Sequence, residues 1–191
     1  MKDVSFKDFD ILSEQDKAEA VALVQRYDQL EVQDGCQGDF ISFIKHMWPD
    51  FIEGRHHKII ANKFNKIADG KLKRLIVCLP PRHSKSEFAS TFFPAWMMGR
   101  RGNLKIIQTT HTAELAVRFG RKVRNIIDST EYQHIFPDLK LQADNKSAGR
   151  WTSNQEGEFF AAGVGGAITG RGADLLIIDD PHSEQDALSP K

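Results

Sequence analysis

Two neighbouring polar residues at the start of a predicted helix, Lys85 and Ser86, have the clearest potential for chemistry. They lie in the sequence LPPRHSKSE (residues 79–87), between an apolar run and a helical stretch. In a phosphate-binding loop, backbone N–H groups and a helix N-terminus face the phosphates, a lysine reaches the β- and γ-phosphates, and a hydroxyl binds Mg²⁺. The usual glycines are absent, because Leu79 and Ser84 stand in their places. Taken alone, such a Lys-Ser pair is more often a capped, solvated turn.

A second pattern is an apolar run that ends in two carboxylates. Residues 175–178 are Leu-Leu-Ile-Ile, and Asp179 and Asp180 follow directly. In phosphate-loop enzymes a strand of this kind lies beside the loop, and its terminal acid holds Mg²⁺ while the next acid can polarise the attacking water. By itself, a buried strand whose acids cap the next turn is the commoner case. The two patterns together favour a nucleotide site.

These residues also resemble a known family, the large terminase subunit of tailed bacteriophages. Residues 74–87 (RLIVCLPPRHSKSE) resemble its deviant Walker A loop, in which Pro-Pro-Arg-His-Gly-Lys-Ser is typical. Residues 163–174 (GVGGAITGRGAD) resemble its approach to Walker B, and residues 121–126 with Phe136 and Pro137 also lie where the family would have them. The resemblance covers roughly residues 40–185. It implies an ATPase that uses ATP and Mg²⁺ in the host cytoplasm. Its implied partners are double-stranded DNA, a small terminase subunit, a portal protein and further copies of the chain in a ring.

The resemblance assigns a role to each residue of the site. Lys85 is the phosphate lysine, Ser86 and Asp179 are the Mg²⁺ ligands, and Arg82 pairs with phosphate charge. Asp180 takes the place of the water-activating carboxylate, often a glutamate, so its reach is one methylene shorter. The residues expected to surround the nucleotide are Pro81, Arg82, His83, Ser84, Lys85, Ser86 and Glu87. If position 84 needs a positive φ, its serine costs on the order of 1 kcal/mol.

Three further features allow a functional and a plain structural interpretation. Arg171, on a glycine-flanked loop, is the candidate for an arginine that acts on a neighbouring subunit's nucleotide, or else an exposed loop arginine. Residues 51–57 (FIEGRHH) could stack on a base, or could simply begin a surface helix. The bases of residues 118–124 could follow DNA phosphates, or could belong to a solvated amphipathic helix.

Composition limits the classes of protein to consider. The chain has 191 residues, 40% of them hydrophobic and 27% charged, and its formal net charge is zero. A chain of this length can form one domain with a substantial core, and zero net charge argues against a uniformly basic nucleic-acid binder. The charge is uneven, since residues 1–35 contain nine acids and four bases, whereas residues 100–124 contain seven bases and one acid.

Hydrophobic periodicity predicts alternating helices and strands. Helices are predicted over residues 6–30 (one or two helices, with Ser13 as an N-cap), 40–48, 55–67, 88–98 and 112–127. Strands are predicted over residues 75–79, 104–110, 159–162 and 175–178, the first and last as strands buried on both faces. Residues 34–39 are predicted as a turn, and residues 140–158 as irregular. The predicted fold is α/β, with an N-terminal helical segment (residues 1–37) before an ASCE-type P-loop NTPase domain (residues 38–191) whose parallel sheet is flanked by helices.

The leading functional hypothesis is a viral DNA-packaging ATPase. The alternatives are another nucleic-acid-dependent ATPase, such as a helicase-like enzyme, and a catalytically inert nucleotide- or DNA-binding fragment. Because only eleven residues follow Asp180, we expect a sheet incomplete at its C-terminal side and no nuclease domain. We also expect the chain as it stands to bind ATP weakly and to hydrolyse it slowly.

Overall fold

The computed structural model describes residues 13–166 and 168–183, and it is a mixed α/β protein. Its helices are α1 (Glu14–Gly38), α2 (Phe40–Met47), α3 (Arg55–Ala68), a π-helix (Glu87–Phe92), α4 (Phe93–Arg100), α5 (Ala113–Ile127) and α6 (Thr130–Ile135). Its strands are β1 (Lys105–Thr110), β2 (Leu141–Lys146), β3 (Arg150–Ser153), β4 (Glu158–Gly163) and β5 (Leu175–Ile178). None of the helices in these described ranges has both the length and the apolar character that crossing a membrane requires.

The strands form one open sheet in the order β2-β3-β4-β1-β5. The central strand β1 is parallel to β4 on one side and to β5 on the other. The hairpin of β2 and β3 joins antiparallel to β4, so the predicted parallel sheet is confirmed for three of the five strands. Helix α5 packs against β1 and β4 and thereby covers part of the sheet.

The N-terminal helical segment is one long helix in the part that the structure describes. Ser13 caps α1 as predicted, because its hydroxyl accepts a hydrogen bond from the Asp16 N–H. Residues 1–12, which include the start of the predicted helical region, lie outside the described residues. The turn predicted over residues 34–39 is wrong, since α1 continues to Gly38. Burial of Cys36 on the helix outweighs the helix-breaking cost of a glycine, about 1 kcal/mol.

The next helices follow their sequence signals closely. Asp39 caps α2 by accepting a hydrogen bond from the Ser42 N–H, and the predicted helix over residues 40–48 is confirmed. Helix α3 is confirmed as well, and Gly70 beyond its end has a φ of 72°. The helix predicted over residues 88–98 begins as a π-helix and continues as α4. Pro94 explains the wider first turns, because it cannot donate the α-helical hydrogen bond to Ser90.

Residues 75–79 do not form the predicted buried strand. They belong to no strand, and Ile76 is 90% exposed. Strand β5 is the edge of the sheet rather than a strand buried on both faces, since Leu176 and Ile178 are 56% and 58% exposed. A cleft of ≈ 700 Å³ separates the two apolar segments. The apolar composition of residues 75–79 and 175–178 predicts strands that are buried on both faces. In the described chain, both segments instead have side chains that face solvent.

The polar region at residues 140–158 is also more ordered than predicted. It contains the hairpin of β2 and β3, which is held to the core by the fully buried Trp151. The Trp151 ring stacks on Phe159 of β4 at a centroid distance of 5.0 Å, and its N–H donates to the Gly120 carbonyl. The alternation of exposed Arg150 and buried Trp151 and Ser153 is the strand signal that the surrounding polar residues obscured.

An aromatic core connects the N-terminal helices to the helix that follows the Lys85 loop. Phe40 of α2 is fully buried at its centre. Its ring contacts five others at centroid distances of 5.3 to 6.4 Å, those of Phe43, Phe64, Phe88, Phe93 and Trp96. Because Phe88 belongs to the π-helix, this packing fixes the helix on which the loop ends.

We predict that Phe40→Ala lowers the free energy of unfolding by about 3–5 kcal/mol, because it removes the centre of this aromatic core and leaves a cavity. Chemical denaturation monitored by circular dichroism measures the change. Ile52→Ala is the matched control, since Ile52 is 87% exposed and its truncation should change stability by no more than about 0.5 kcal/mol. Equal effects of the two substitutions would contradict the proposed packing.

Candidate functional site

The structure brings Lys85 together with the two acids that follow β5. The Lys85 Nζ lies 2.5 Å from Asp180 Oδ1 and 3.4 Å from Asp179 Oδ1. The Lys85 and Asp180 positions are 95 residues apart in the sequence. Two groups that serve one Mg²⁺-triphosphate must lie within roughly 10 Å of each other, and Lys85 and Asp179 meet this requirement. The cluster lies at the carboxyl end of β5, where open α/β sheets bind their ligands.

Asp179 is the buried member of this cluster. It is only 5% exposed, and its N–H donates to the Thr109 carbonyl of β1, so β1 holds its backbone in place. Its Oδ2 accepts a hydrogen bond of 2.9 Å from the Ser90 hydroxyl of the π-helix, while its Oδ1 faces Lys85. Burial of a carboxylate is costly unless it is paired and hydrogen-bonded, and here both oxygens have partners.

Ser90 is a site residue that sequence analysis missed. It connects the helix after the loop to the acid at the end of β5. The available signal was its spacing, because Ser90 lies four residues after Ser86 and such residues share one side of a helix. A hydroxyl there could have been predicted to face the same ligand site as Ser86.

Asp180 differs from Asp179 in its environment. Its side chain is 64% exposed, its φ is 44°, and its carbonyl accepts a hydrogen bond from the His111 N–H. Burial alone would lower the pKa of Lys85, but the hydrogen bond to Asp180 and the charges of both carboxylates outweigh it and raise that pKa. Lys85 is therefore a fully charged ammonium at neutral pH, held between one buried and one exposed carboxylate.

The loop backbone contains two left-handed residues that are not glycine. The φ angles of Arg82 and Ser84 are 63° and 60°, whereas Ser86 has ordinary right-handed helical angles. The expected positive φ at position 84 is thus observed, in a loop that lacks the family's glycine. Left- and right-handed residues in succession form the N–H concavities that bind anions. The positive φ angles of Arg82 and Ser84 are strained, because both residues have a Cβ atom.

The other residues predicted around the nucleotide line the same loop. Pro81 and Arg82 are exposed, and the His83 Nδ1 lies 2.9 Å from the Pro81 carbonyl oxygen. The Glu87 carboxylate, at the start of the π-helix, forms an ion pair with Lys122, so one base of the predicted basic helix is paired with the segment that follows the loop. Arg118 and Arg121 of α5 are exposed, as either a DNA-binding or a solvated helix would have them.

The histidine pair predicted for base stacking is partly structural. His57 is buried, and its Nδ1 accepts a hydrogen bond from the Gly54 N–H at the start of α3. Burial, followed by the charge of His56, lowers the pKa of His57, so its ring is neutral at pH 7. The His57 ring packs on Phe88 at 4.8 Å, whereas the His56 ring lies 5.5 Å from His83 of the loop. Of the pair, His56 is therefore the one beside the loop.

Arg171 does not join the Lys85 cluster. Its guanidinium donates to Glu158 at 3.1 Å and lies 3.9 Å above the Phe160 ring. Glu158 begins β4, and β4 runs parallel to β1 and β5, so this ion pair is at the end of the sheet away from Asp179. Action of Arg171 on a neighbouring subunit's nucleotide stays a prediction.

The side chains at the site suit a magnesium ion bound together with a phosphate. Mg²⁺ in phosphate sites is usually held by one or two carboxylates, with the remaining positions taken by waters and phosphate oxygens. Asp179 supplies a buried carboxylate, and Ser86 supplies a hydroxyl at the start of the π-helix. Among the described residues there is no cluster of three or more histidines, cysteines or acids that would suit a metal held by the protein alone.

The chain was compared with protein families, curated proteins and solved structures. No family model, no curated protein and no solved structure matches the chain. The resemblance to large terminase subunits therefore rests on the sequence motifs. The meeting of Lys85 with Asp179 and Asp180 is a separate structural observation beside it.

We predict that Ser84→Gly raises the free energy of unfolding by about 1 kcal/mol, because glycine adopts a positive φ without the steric cost of a Cβ atom. Thermal and chemical denaturation measure the difference. Ser84→Ala is the control, since it removes the hydroxyl but keeps the Cβ, and it should not stabilise. Stabilisation by alanine equal to that by glycine would show that the hydroxyl, not the backbone conformation, is unfavourable.

Proposed function

We propose that this chain is the ATP-binding and ATP-hydrolysing domain of a viral DNA-packaging motor, a P-loop NTPase of the large terminase subunit class. The observation that carries the proposal is the contact of Lys85 with Asp179 and Asp180. This contact connects the loop before the π-helix to the two acids that follow β5, and β5 is parallel to its neighbour β1. Phosphoryl transfer needs a lysine and a metal-binding acid at the same nucleotide.

In this proposal, binding of the nucleotide exchanges the partners of Lys85. The triphosphate carries several negative charges, so it competes with Asp180 for the ammonium group, while the loop N–H groups and the start of the π-helix add further donors. Asp179 keeps its place because Ser90 and the backbone of β1 hold it. Mg²⁺ would be held by Asp179 and Ser86 and would neutralise charge on the phosphates.

Release of Lys85 leaves Asp180 free to act on water. Its side chain is already the exposed carboxylate of the cluster, so a water molecule can reach it. An acid in this place can orient or deprotonate the attacking water. Arg82, exposed on the same loop, would balance charge on the transferred phosphate. Double-stranded DNA, a small terminase subunit, a portal protein and a ring of identical subunits are the partners that this class implies.

A second candidate function is a nucleotide-binding module without turnover. The positive φ angles at Arg82 and Ser84 favour it, because the loop must hold a strained conformation. The contact of Lys85 with Asp180 also favours it, because Asp180 competes with the phosphates for the ammonium. Measuring binding and hydrolysis separately distinguishes the two candidates.

We predict that Lys85→Ala weakens ATP binding at least about tenfold, the effect of losing one charge-assisted contact to phosphate. Isothermal titration calorimetry with ATP and Mg²⁺ measures the change. Lys63→Ala is the control, since Lys63 is an exposed lysine on α3 and its removal should leave binding unchanged. Unaltered ATP affinity in Lys85→Ala would contradict the proposal. A loss of stability as large as that of Phe40→Ala would make Lys85 structural instead.

We predict that Asp180→Asn retains ATP binding but lowers the hydrolysis rate by about 10²–10⁴-fold, because asparagine cannot accept the proton of the attacking water. Steady-state phosphate release at saturating ATP is the measurement, and Asp138→Asn, an exposed aspartate elsewhere, is the control. Hydrolysis at the unaltered rate in Asp180→Asn would remove Asp180 from the mechanism. ATP binding with no turnover in the unaltered chain would select the module without turnover.

A further inference from the structure

Helix α1 has exposed apolar side chains in its middle part, between Val21 and Val32. Every residue from 21 to 32 is exposed, and Leu23 and Tyr27 are 65% and 62% accessible. Ala20, Leu23, Tyr27 and Leu30 follow one another at spacings of three, four and three residues. This is the spacing of the seam along which one helix packs on another. We call these four residues the α1 stripe.

Most of the stripe lies on the exposed part of α1, and at its C-terminal end Leu30 borders a groove shared with Ile135. The helix is attached to the rest of the protein near its C-terminal end, where Cys36 is buried and Gln33 and Gln37 donate to the Ile135 carbonyl. Helices in proteins owe most of their stability to packing of an apolar face, and short isolated helices are marginal in water. The stripe is therefore suited to being covered by another helix.

The charges beside the stripe decide which kind of helix fits. From Glu14 to Gly38, α1 contains six acidic residues and two basic ones. Asp16 lies four residues before Ala20, and Asp34 lies four residues after Leu30, so both acids continue the stripe at its ends. Glu19 and Glu31 are next to the stripe residues Ala20 and Leu30 in the sequence. Hydrogen bonding to Glu31 raises the pKa of the Tyr27 phenol, which places this acid against the stripe.

This distribution disfavours several occupants. A second copy of α1 would bring acid against acid, which is unfavourable between paired helices. Anionic lipid surfaces and nucleic acids would be repelled by the same charges, since helices that bind them are rich in lysine and arginine. A helix with an apolar seam flanked by bases would meet both the stripe and its acids favourably.

We propose that the α1 stripe is a docking surface for a basic amphipathic helix of a partner protein. The partner's apolar residues would pack between Ala20 and Leu30, and its lysines or arginines would lie beside Glu19 and Glu31. Where α1 joins the body, a groove of ≈ 580 Å³ lies between Leu30 and Ile135 and can receive the end of such a helix. The proposal does not depend on nucleotide binding at Lys85.

Two synthetic helical peptides test the proposal with the full chain. Both have leucine at the seam positions. One has lysine at the flanking positions, and the other has glutamate there. We expect the lysine peptide to bind at least about tenfold more tightly in fluorescence anisotropy, with an affinity that falls as salt rises. We also expect it to slow amide hydrogen exchange over residues 14–32, because packing stabilises the helix.

Matched variants distinguish specific binding at the α1 stripe from non-specific hydrophobic binding. Leu23→Ser and Tyr27→Ser should each weaken binding about tenfold or more, since each removes a large buried contact. Val21→Ser and Val32→Ser are the controls, because these valines are exposed on the same helix but outside the stripe. Glu19→Lys with Glu31→Lys should reverse the preference in favour of the glutamate peptide.

Three results would overturn the proposal. The first is equal binding of the two peptides or no binding of either. The second is an equal effect of the stripe and control variants. The third is a stable dimer in sedimentation velocity that Leu23→Ser abolishes, because the occupant would then be a second copy of the chain.

Discussion

The ion cluster of Lys85, Asp179 and Asp180 is the constraint around which the described structure is arranged. Burial of the Asp179 carboxylate would be strongly unfavourable without a partner of opposite charge. That partner is Lys85, which comes from a distant part of the sequence. That requirement fixes the loop before the π-helix against the end of β5. Ser90 strengthens the arrangement, since its bond to Asp179 comes from the helix itself and not from the flexible tip of a long side chain.

Hydrophobic packing supplies the energy that holds the two halves of this cluster in place. The rings around Phe40 attach α2 and α3 to the π-helix and α4, so the element that follows the loop is anchored in the core. On the other side, β5 is held to β1 by backbone pairing, and Ile177 packs into the same core. The exposed side of Asp180 lies beyond this packing, and that is where a ligand can exchange with Lys85 without disturbing the fold.

The sequence predicted the parts of the site that depend on local spacing. A lysine and a hydroxyl at a helix start and an apolar run ending in two acids were enough to expect Lys85 near Asp179. The expected reason was that two parallel strands end at one edge of the sheet, and this holds only for β5, because residues 75–79 form no strand. The helix capped at Ser13 was also predicted, and the helices predicted over residues 40–48 and 112–127 are capped in the structure by Asp39 and Thr112. Ser90 was missed although its spacing of four residues from Ser86 was a signal, because its bond to Asp179 also depends on how close the π-helix lies to the end of β5.

The errors in the predicted fold also arise because contacts between distant segments decide which residues are buried. Residues 75–79 are as apolar as a buried strand, but burial depends on neighbours, and in the described chain Ile76 faces solvent. The β2–β3 hairpin is polar enough to suggest a loop, yet backbone pairing with β4 and the stacking of Trp151 on Phe159 hold it to the sheet. Gly35 and Gly38 suggested a turn, although the tertiary contacts of Cys36 and Gln37 keep them helical.

The most direct test of the central claim is a crystal structure of the chain with a non-hydrolysable ATP analogue and Mg²⁺. If Lys85 is the phosphate lysine, its ammonium leaves Asp180 and lies about 2.7–3.2 Å from an oxygen of the β- or γ-phosphate. The bond from Ser90 to Asp179 should persist. A nucleotide bound elsewhere, with Lys85 still paired to Asp180 and no phosphate against the loop, would contradict it.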